Sequence, residues 1–158
     1  MLSNLTKMNL YLNLFAFTKV PLIWLCRPKI IAIDEEKVVV KIPLRRRTKN
    51  HLNSMYFGVL AVGADVAGGF LAMSKAKENN KKVSLAFKEV QGRFLKRPEA
   101  DVVFTCSEGK SIDTLLEESF RTGERVNRSV KIIATCPSIN GDEPMAEFDL
   151  TLSIKVIN

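Results

Sequence analysis

The chain has 158 residues, 46% hydrophobic and 26% charged, with a formal net charge of +7. That size and balance exclude a disordered chain and fit one folded domain with one sizeable core. The charge favours an anionic partner: nucleic acid, an anionic membrane surface or a phosphorylated ligand.

The first expected element is a helix from about Asn4 to Thr18, part of an N-terminal extension over residues 1–26. Leu5, Met8, Leu12 and Phe15 form one apolar stripe on it, and Leu10, Leu14 and Phe17 form a second. A helix this apolar must pack on something: its own domain, a partner subunit, an apolar ligand beneath it or a membrane surface. Asn13, Thr18, Lys19 and Pro21 interrupt the apolar run and no small-residue cleavage site follows, so it does not read as a signal peptide. Lys29 to Pro43 then carries two β-branched runs around Asp34-Glu35-Glu36, the pattern of two strands joined by a bend. Arg45, Arg46, Arg47 and Lys49 follow as a basic run.

Met55 to Met73 is a stretch of 19 almost wholly apolar residues with one carboxylate, Asp65, inside it. Its length meets the rule for a membrane span. Three features argue for a core helix instead. Gly58, Gly63, Gly68 and Gly69 are four of the chain's eight glycines, which lone membrane helices rarely need. An ionised Asp65 near a bilayer centre would cost about 2.5–3.5 kcal/mol. The rest of the chain, moreover, is rich in alternating strands that need an apolar helix to enclose. No transmembrane segment is expected.

Lys82 to Leu95 alternates as a strand, with Gly92 as a candidate bulge, and Asp101 to Cys106 is a second, shorter strand. Gly109 to Thr122 has helical spacing and ends at Gly123, a C-terminal cap. Val126 to Cys136 is a strand, "PSINGDEP" a turn, and Ala146 to Val156 alternates without a break: Ala146, Phe148, Leu150, Leu152, Ile154 and Val156 on one face. Strands that follow one another without regular helical crossovers imply an antiparallel sheet packed on one long helix, an α+β fold in a single domain over residues 1–158. Cys26, Cys106 and Cys136 are widely spaced with no CxxC pair, which fits a reducing cytoplasm and neither a disulfide framework nor a zinc site.

Gly58 and Asp65 are seven residues apart and share one helix face, about 10 Å apart along the axis. The helix start offers unpaired N–H groups suited to an oxyanion or a polarised carbonyl. Within one helix the carboxylate is too far away to act on the same atom, so a site built from both requires two subunits.

The stretch "RRRTKNHLNSMYFGVLAVGADVAGG" resembles the central-helix region of the hotdog-fold thioesterases, in particular the phenylacetate-type (PaaI-like) group and an uncharacterised branch of unknown function related to it. The residues that carry the likeness are Arg45 to Arg47, Asn50 with Ser54, Tyr56-Phe57-Gly58, and Asp65. The resemblance implies a hotdog fold, an antiparallel sheet curled round the long helix, assembled as a homodimer or a dimer of dimers. It implies an acyl-CoA thioester as substrate at the subunit interface and no cofactor. Asp65 would be general base or nucleophile, and the Gly58 backbone N–H would polarise the carbonyl. PaaI-like enzymes have His-Gly-Gly where this chain has Tyr56-Phe57-Gly58, and the only histidine, His51, lies upstream. Asn50 or Asn53 could serve as amide donors in its place, with His51, Ser54, Tyr56 and Phe57 lining the substrate, and Arg45, Arg46 and Arg47 suit the CoA phosphates.

Bland readings stand beside these. Asp65 can be a buried structural carboxylate paired with an arginine or backbone N–H groups. His51, Asn50 and Asn53 can be turn residues, and the arginines a solvated face. A non-catalytic hotdog protein that binds acyl-CoA or a lipid-like ligand is the alternative function. Nucleic-acid binding is disfavoured because the aromatics sit in apolar runs and do not alternate with basic residues. A hotdog dehydratase is disfavoured because its histidine-containing motifs are missing.

Overall fold

The computed structural model describes residues 3–157. Helix α1 (Asn4–Lys19) starts at Ser3, whose hydroxyl accepts the Thr6 N–H at 3.1 Å, a normal N-cap. Asn9 fastens this helix to the sheet: its side-chain amide donates to Ile30 O and accepts from Ile30 N, both at 2.8 Å. Pro21, read from sequence as an interruption, instead opens a second short helix, α2 (Pro21–Cys26), because proline at the first helical position loses no hydrogen bond. Arg27 ends it in the left-handed conformation, with φ 56°.

Strands β1 (Lys29–Ile33) and β2 (Val38–Ile42) form the expected hairpin. The Asp34 carboxylate closes its bend by accepting the Glu36 and Lys37 N–H groups at 2.9 Å. Next come α3 (Phe57–Glu78), β3 (Lys82–Phe94), β4 (Val102–Cys106) and α4 (Gly109–Thr122), capped by Gly123 at φ 72°. Strand β5 (Val126–Thr135), the single-turn α5 (Pro137–Asn140) and β6 (Pro144–Ile157) complete the chain.

The six strands make one antiparallel sheet in the order β1-β2-β4-β5-β6-β3. It wraps α3, which touches β2 through β6. By mean hydropathy (1.6 over its most apolar window) α3 could cross a bilayer. Here Leu60, Ala64, Ala67, Leu71 and Ala72 are instead buried against Phe104, Ile132, Phe148 and Leu152 of the sheet. The fold is the α+β hotdog arrangement that the resemblance implied.

One expectation on β3 is corrected. The register shift lies between Phe87 and Glu89, not at Gly92. Gly92 stays in register opposite Phe148, and a Cβ there would stand 3.0 Å from that ring, so the glycine makes room for an aromatic neighbour.

Candidate active site

The segment between β2 and α3 fixes how the long helix begins. Thr48 is buried, and its hydroxyl donates to Pro43 O and accepts the Arg45 N–H, both at 2.8 Å. Asp101 accepts the Leu44 N–H at 2.9 Å and pairs with Lys41 at 3.0 Å. These bonds hold the Arg45–Arg47 turn, with all three arginine side chains exposed and outside any ion pair among the described residues. Arg27 joins them around an open groove floored by Pro43 and Thr48.

The next seven residues form a small pinned loop. Asn50 N–H donates to Ser54 O at 2.8 Å, Tyr56 N–H donates to Thr48 O at 2.9 Å, and Lys49 bridges Met55. The Asn50 side-chain oxygen accepts from Leu52 N, Ser54 N and Ser54 Oγ. Asn53 adopts φ 61°, and His51 is exposed in the turn. Asn50, Asn53 and Ser54 therefore do turn work first. The Asn50 amide oxygen is committed to the loop, and a donor role is left to its NH2 group.

Helix α3 opens at Tyr56 with no side-chain cap. Val59 and Leu60 N–H both donate to Tyr56 O. The Phe57 and Gly58 N–H groups find no acceptor among the described residues, as expected for a helix N-terminus left open. The rings of Tyr56 and Phe57 are exposed and lie 4.8 Å apart, and Phe57 meets Phe94 of β3 at 6.2 Å. Gly58, Ala61, Val62, Asp65 and Gly69 are all only half-buried, and their spacing puts them in one line down the helix. The sheet, α2 and α4 pack around α3, and this stripe stays only half covered.

Asp65 sits in that stripe against a cavity of about 90 Å³. Tyr11, Leu12 and Phe15 of α1, Ile23 of α2, Val66, Phe70 and Met73 of α3 and Leu85 of β3 supply an otherwise apolar wall. No hydrogen bond or ion pair reaches the carboxylate among the described residues, so the structural arginine partner allowed by the sequence is not there. Burial without a compensating donor pushes its pKa up to about 6. A carboxylate in that state is ionised at neutral pH yet basic enough to take a proton, which is what a general base requires.

Residues 9–138 match the family model described as "Domain of unknown function (DUF4442)". The chain belongs to this family. No curated protein matches it. Among solved structures, a protein of unknown function from Chlorobaculum tepidum superposes with a TM-score of 0.83 at 15% identity, covering 98% of this chain and 97% of its own. A thioesterase from Haemophilus influenzae superposes at 0.70 with 14% identity, covering 99% and 93%. A thioesterase mutant from Pseudomonas aeruginosa gives 0.67 with 13% identity, covering 99% and 97%. At these identities the likeness establishes the hotdog fold for this DUF4442 member.

Sequence reasoning missed the cavity walls. Leu12 and Phe15 belong to the first of the two apolar stripes expected on the N-terminal helix and Met73 closes the apolar stretch, but nothing marked Tyr11, Ile23 or Leu85 as cavity walls. The anchoring of α1 on β1 through Asn9 and Ile30 brings Tyr11, Leu12 and Phe15 to the Asp65 side of α3, where Ile23 of α2 and Leu85 of β3 complete the wall.

Proposed function

We propose that this protein is an acyl-CoA thioesterase whose site is completed by a second copy of the chain. The observation that carries the reading is Asp65: an unpaired, half-buried carboxylate facing an apolar cavity, on the same helix face as an uncapped N-terminus. The described thioesterase neighbours share the fold and support the reaction class.

In this reading Asp65 takes a proton from water as the water oxygen attacks the thioester carbonyl. The Gly58 N–H of the other subunit donates to the oxygen that becomes negative. Collapse of the tetrahedral adduct breaks the C–S bond, and the thiolate recovers the proton, giving free acid and CoA thiol. Direct attack by Asp65, through a mixed anhydride that water then opens, uses the same groups. Neither route calls for a cofactor. The acyl chain lies in the apolar cavity, Tyr56 and Phe57 border the thioester with the Asn50–Ser54 loop and His51 outside them, and Arg45, Arg46 and Arg47 take the CoA phosphates.

The assembly is a homodimer, or a dimer of such dimers, formed through β3. That strand pairs with β6 on one side only, and its second half, from Glu89 to Phe94, is exposed throughout. Val90, Phe94 and Leu95 place large apolar side chains there. An edge this long is a template for another strand. The three cysteines are buried and free, which suits a cytoplasmic setting.

Thiol release from a series of acyl-CoA lengths tests the activity. Turnover with at least one length is expected. Thermal stabilisation by acyl-CoA without thiol release would support the second reading, a carrier or sensor of acyl-CoA or a lipid-like ligand. The apolar cavity is the observation that favours that reading, since it can hold an acyl chain without turnover at Asp65.

A further inference from the structure

The outward side of α1 is not used by the fold. Leu12 and Ala16 are buried, with Leu5 and Met8 packed beside them. On the opposite side Leu10, Leu14 and Phe17 are 63%, 61% and 61% exposed. They are the second apolar stripe of the sequence, and at 3.6 residues per turn they lie in one row. Helix α2 extends the row with Leu22 and Leu25, both exposed. The Phe17 and Trp24 rings meet at 5.4 Å, and the Arg27 guanidinium lies 4.1 Å over Trp24, so the two helices present one continuous apolar surface that ends on a cation.

The charge carried by this segment itself has one sign, and the carboxylate that shares a groove with it is Glu78 of α3, beside Lys7 and Lys77 on the flank. Residues 1–33 contain Lys7, Lys19, Arg27 and Lys29 and no Asp or Glu. All four cations are exposed, and none is in an ion pair among the described residues. Lys7 stands in the Leu10–Leu14 row itself, and Lys19 and Arg27 close the ends of the two helices. A second copy placed on this face would bring cation against cation, which disfavours self-association there. An apolar row on a segment that carries cations and no carboxylate of its own is the pattern of a helix lying in a membrane interface.

We infer that α1 and α2 dock this face on an anionic lipid bilayer. Leu10, Leu14, Phe17, Leu22 and Leu25 enter the boundary between headgroups and acyl chains, and the cations meet lipid phosphates. The inner side of α1 is the wall of the Asp65 cavity, so docking sets that cavity beside the bilayer. The contact is independent of hydrolysis and holds even if Asp65 turns over nothing.

Co-sedimentation of the full chain with vesicles tests the assignment. Vesicles of phosphatidylcholine and phosphatidylglycerol in equal parts should bind the protein, and phosphatidylcholine alone should bind it at least about tenfold more weakly. The double variant Leu10→Ser/Leu14→Ser should lower partition to the mixed vesicles about tenfold with an unchanged melting temperature, because neither side chain is in the core. The variant Lys7→Glu/Lys19→Glu should lose the preference for anionic vesicles. No binding to the mixed vesicles, or binding that both variants leave unchanged, overturns the proposal. So does a particle size in lipid-free solution that falls only in Leu10→Ser/Leu14→Ser, which would make the row an interface between copies.

Discussion

At the scale of single residues, Asp65 sets a conflict between stability and chemistry. Its carboxyl gains nothing from a partner and is held at a pKa of about 6 by burial. The folded chain therefore binds this proton more tightly than the unfolded chain does. Stability from this group is full below the unfolded value, near pH 4, and falls as pH rises towards 6, where the folded form also ionises. The loss is about 2–3 kcal/mol from the pKa difference. Denaturant midpoints measured from pH 4 to 7 should show the decline, and Asp65→Asn should flatten it and melt no lower than wild type at pH 7.5. The proposed general base is the ionised form, so kcat/KM should climb through about pH 6 and level off above it. A rate that falls across this range would mean that the protonated acid does the work.

At the scale of elements, α3 and β3 make separate demands. Gly63 faces Phe104, and a Cβ built at Gly63 falls 2.2 Å from that fully buried ring. Gly63→Ala should cost about 3 kcal/mol in urea unfolding, since neither helix nor strand can withdraw. Gly68 is a contrasting case on the same helix. Its added Cβ would stand 3.5 Å from Ile132 and Val130, ordinary contact, so Gly68→Ala should be neutral or stabilise by about 0.5–1 kcal/mol. Strand β3 tests the assembly. Val90→Asp/Phe94→Asp puts carboxylates on the exposed half of the edge, where both side chains are more than half exposed and Phe94 edges onto Phe148. Light scattering should then report a monomer, with hydrolysis lost about a hundredfold because the proposed pairing of Gly58 with the other subunit's Asp65 is broken. A dimer that survives both substitutions would place the interface elsewhere.

At the scale of the molecule, what the sequence made legible was what periodicity encodes. The unbroken alternation from Ala146 to Val156 became β6, the row Ile112, Leu115 and Leu116 became the buried side of α4, and the apolar stretch around Asp65 became the enclosed helix. Features that depend on one segment meeting another were not legible. Pro21 reads as a break until its helix is seen packed through Ile23 and Cys26. Gly92 reads as a bulge until Phe148 is seen opposite. Asp65 could be recognised as the lone carboxylate of its apolar stretch, but whether an arginine would reach it is a question of tertiary contact, and none does among the described residues. The central claim, that this carboxylate drives thioester hydrolysis, is tested most directly by thiol release from acyl-CoA with wild type and Asp65→Asn side by side at pH 7.5. Turnover by wild type and a loss of about a hundredfold or more in a variant that keeps its fold and dimer is the expected result. Equal turnover by the two proteins would contradict it.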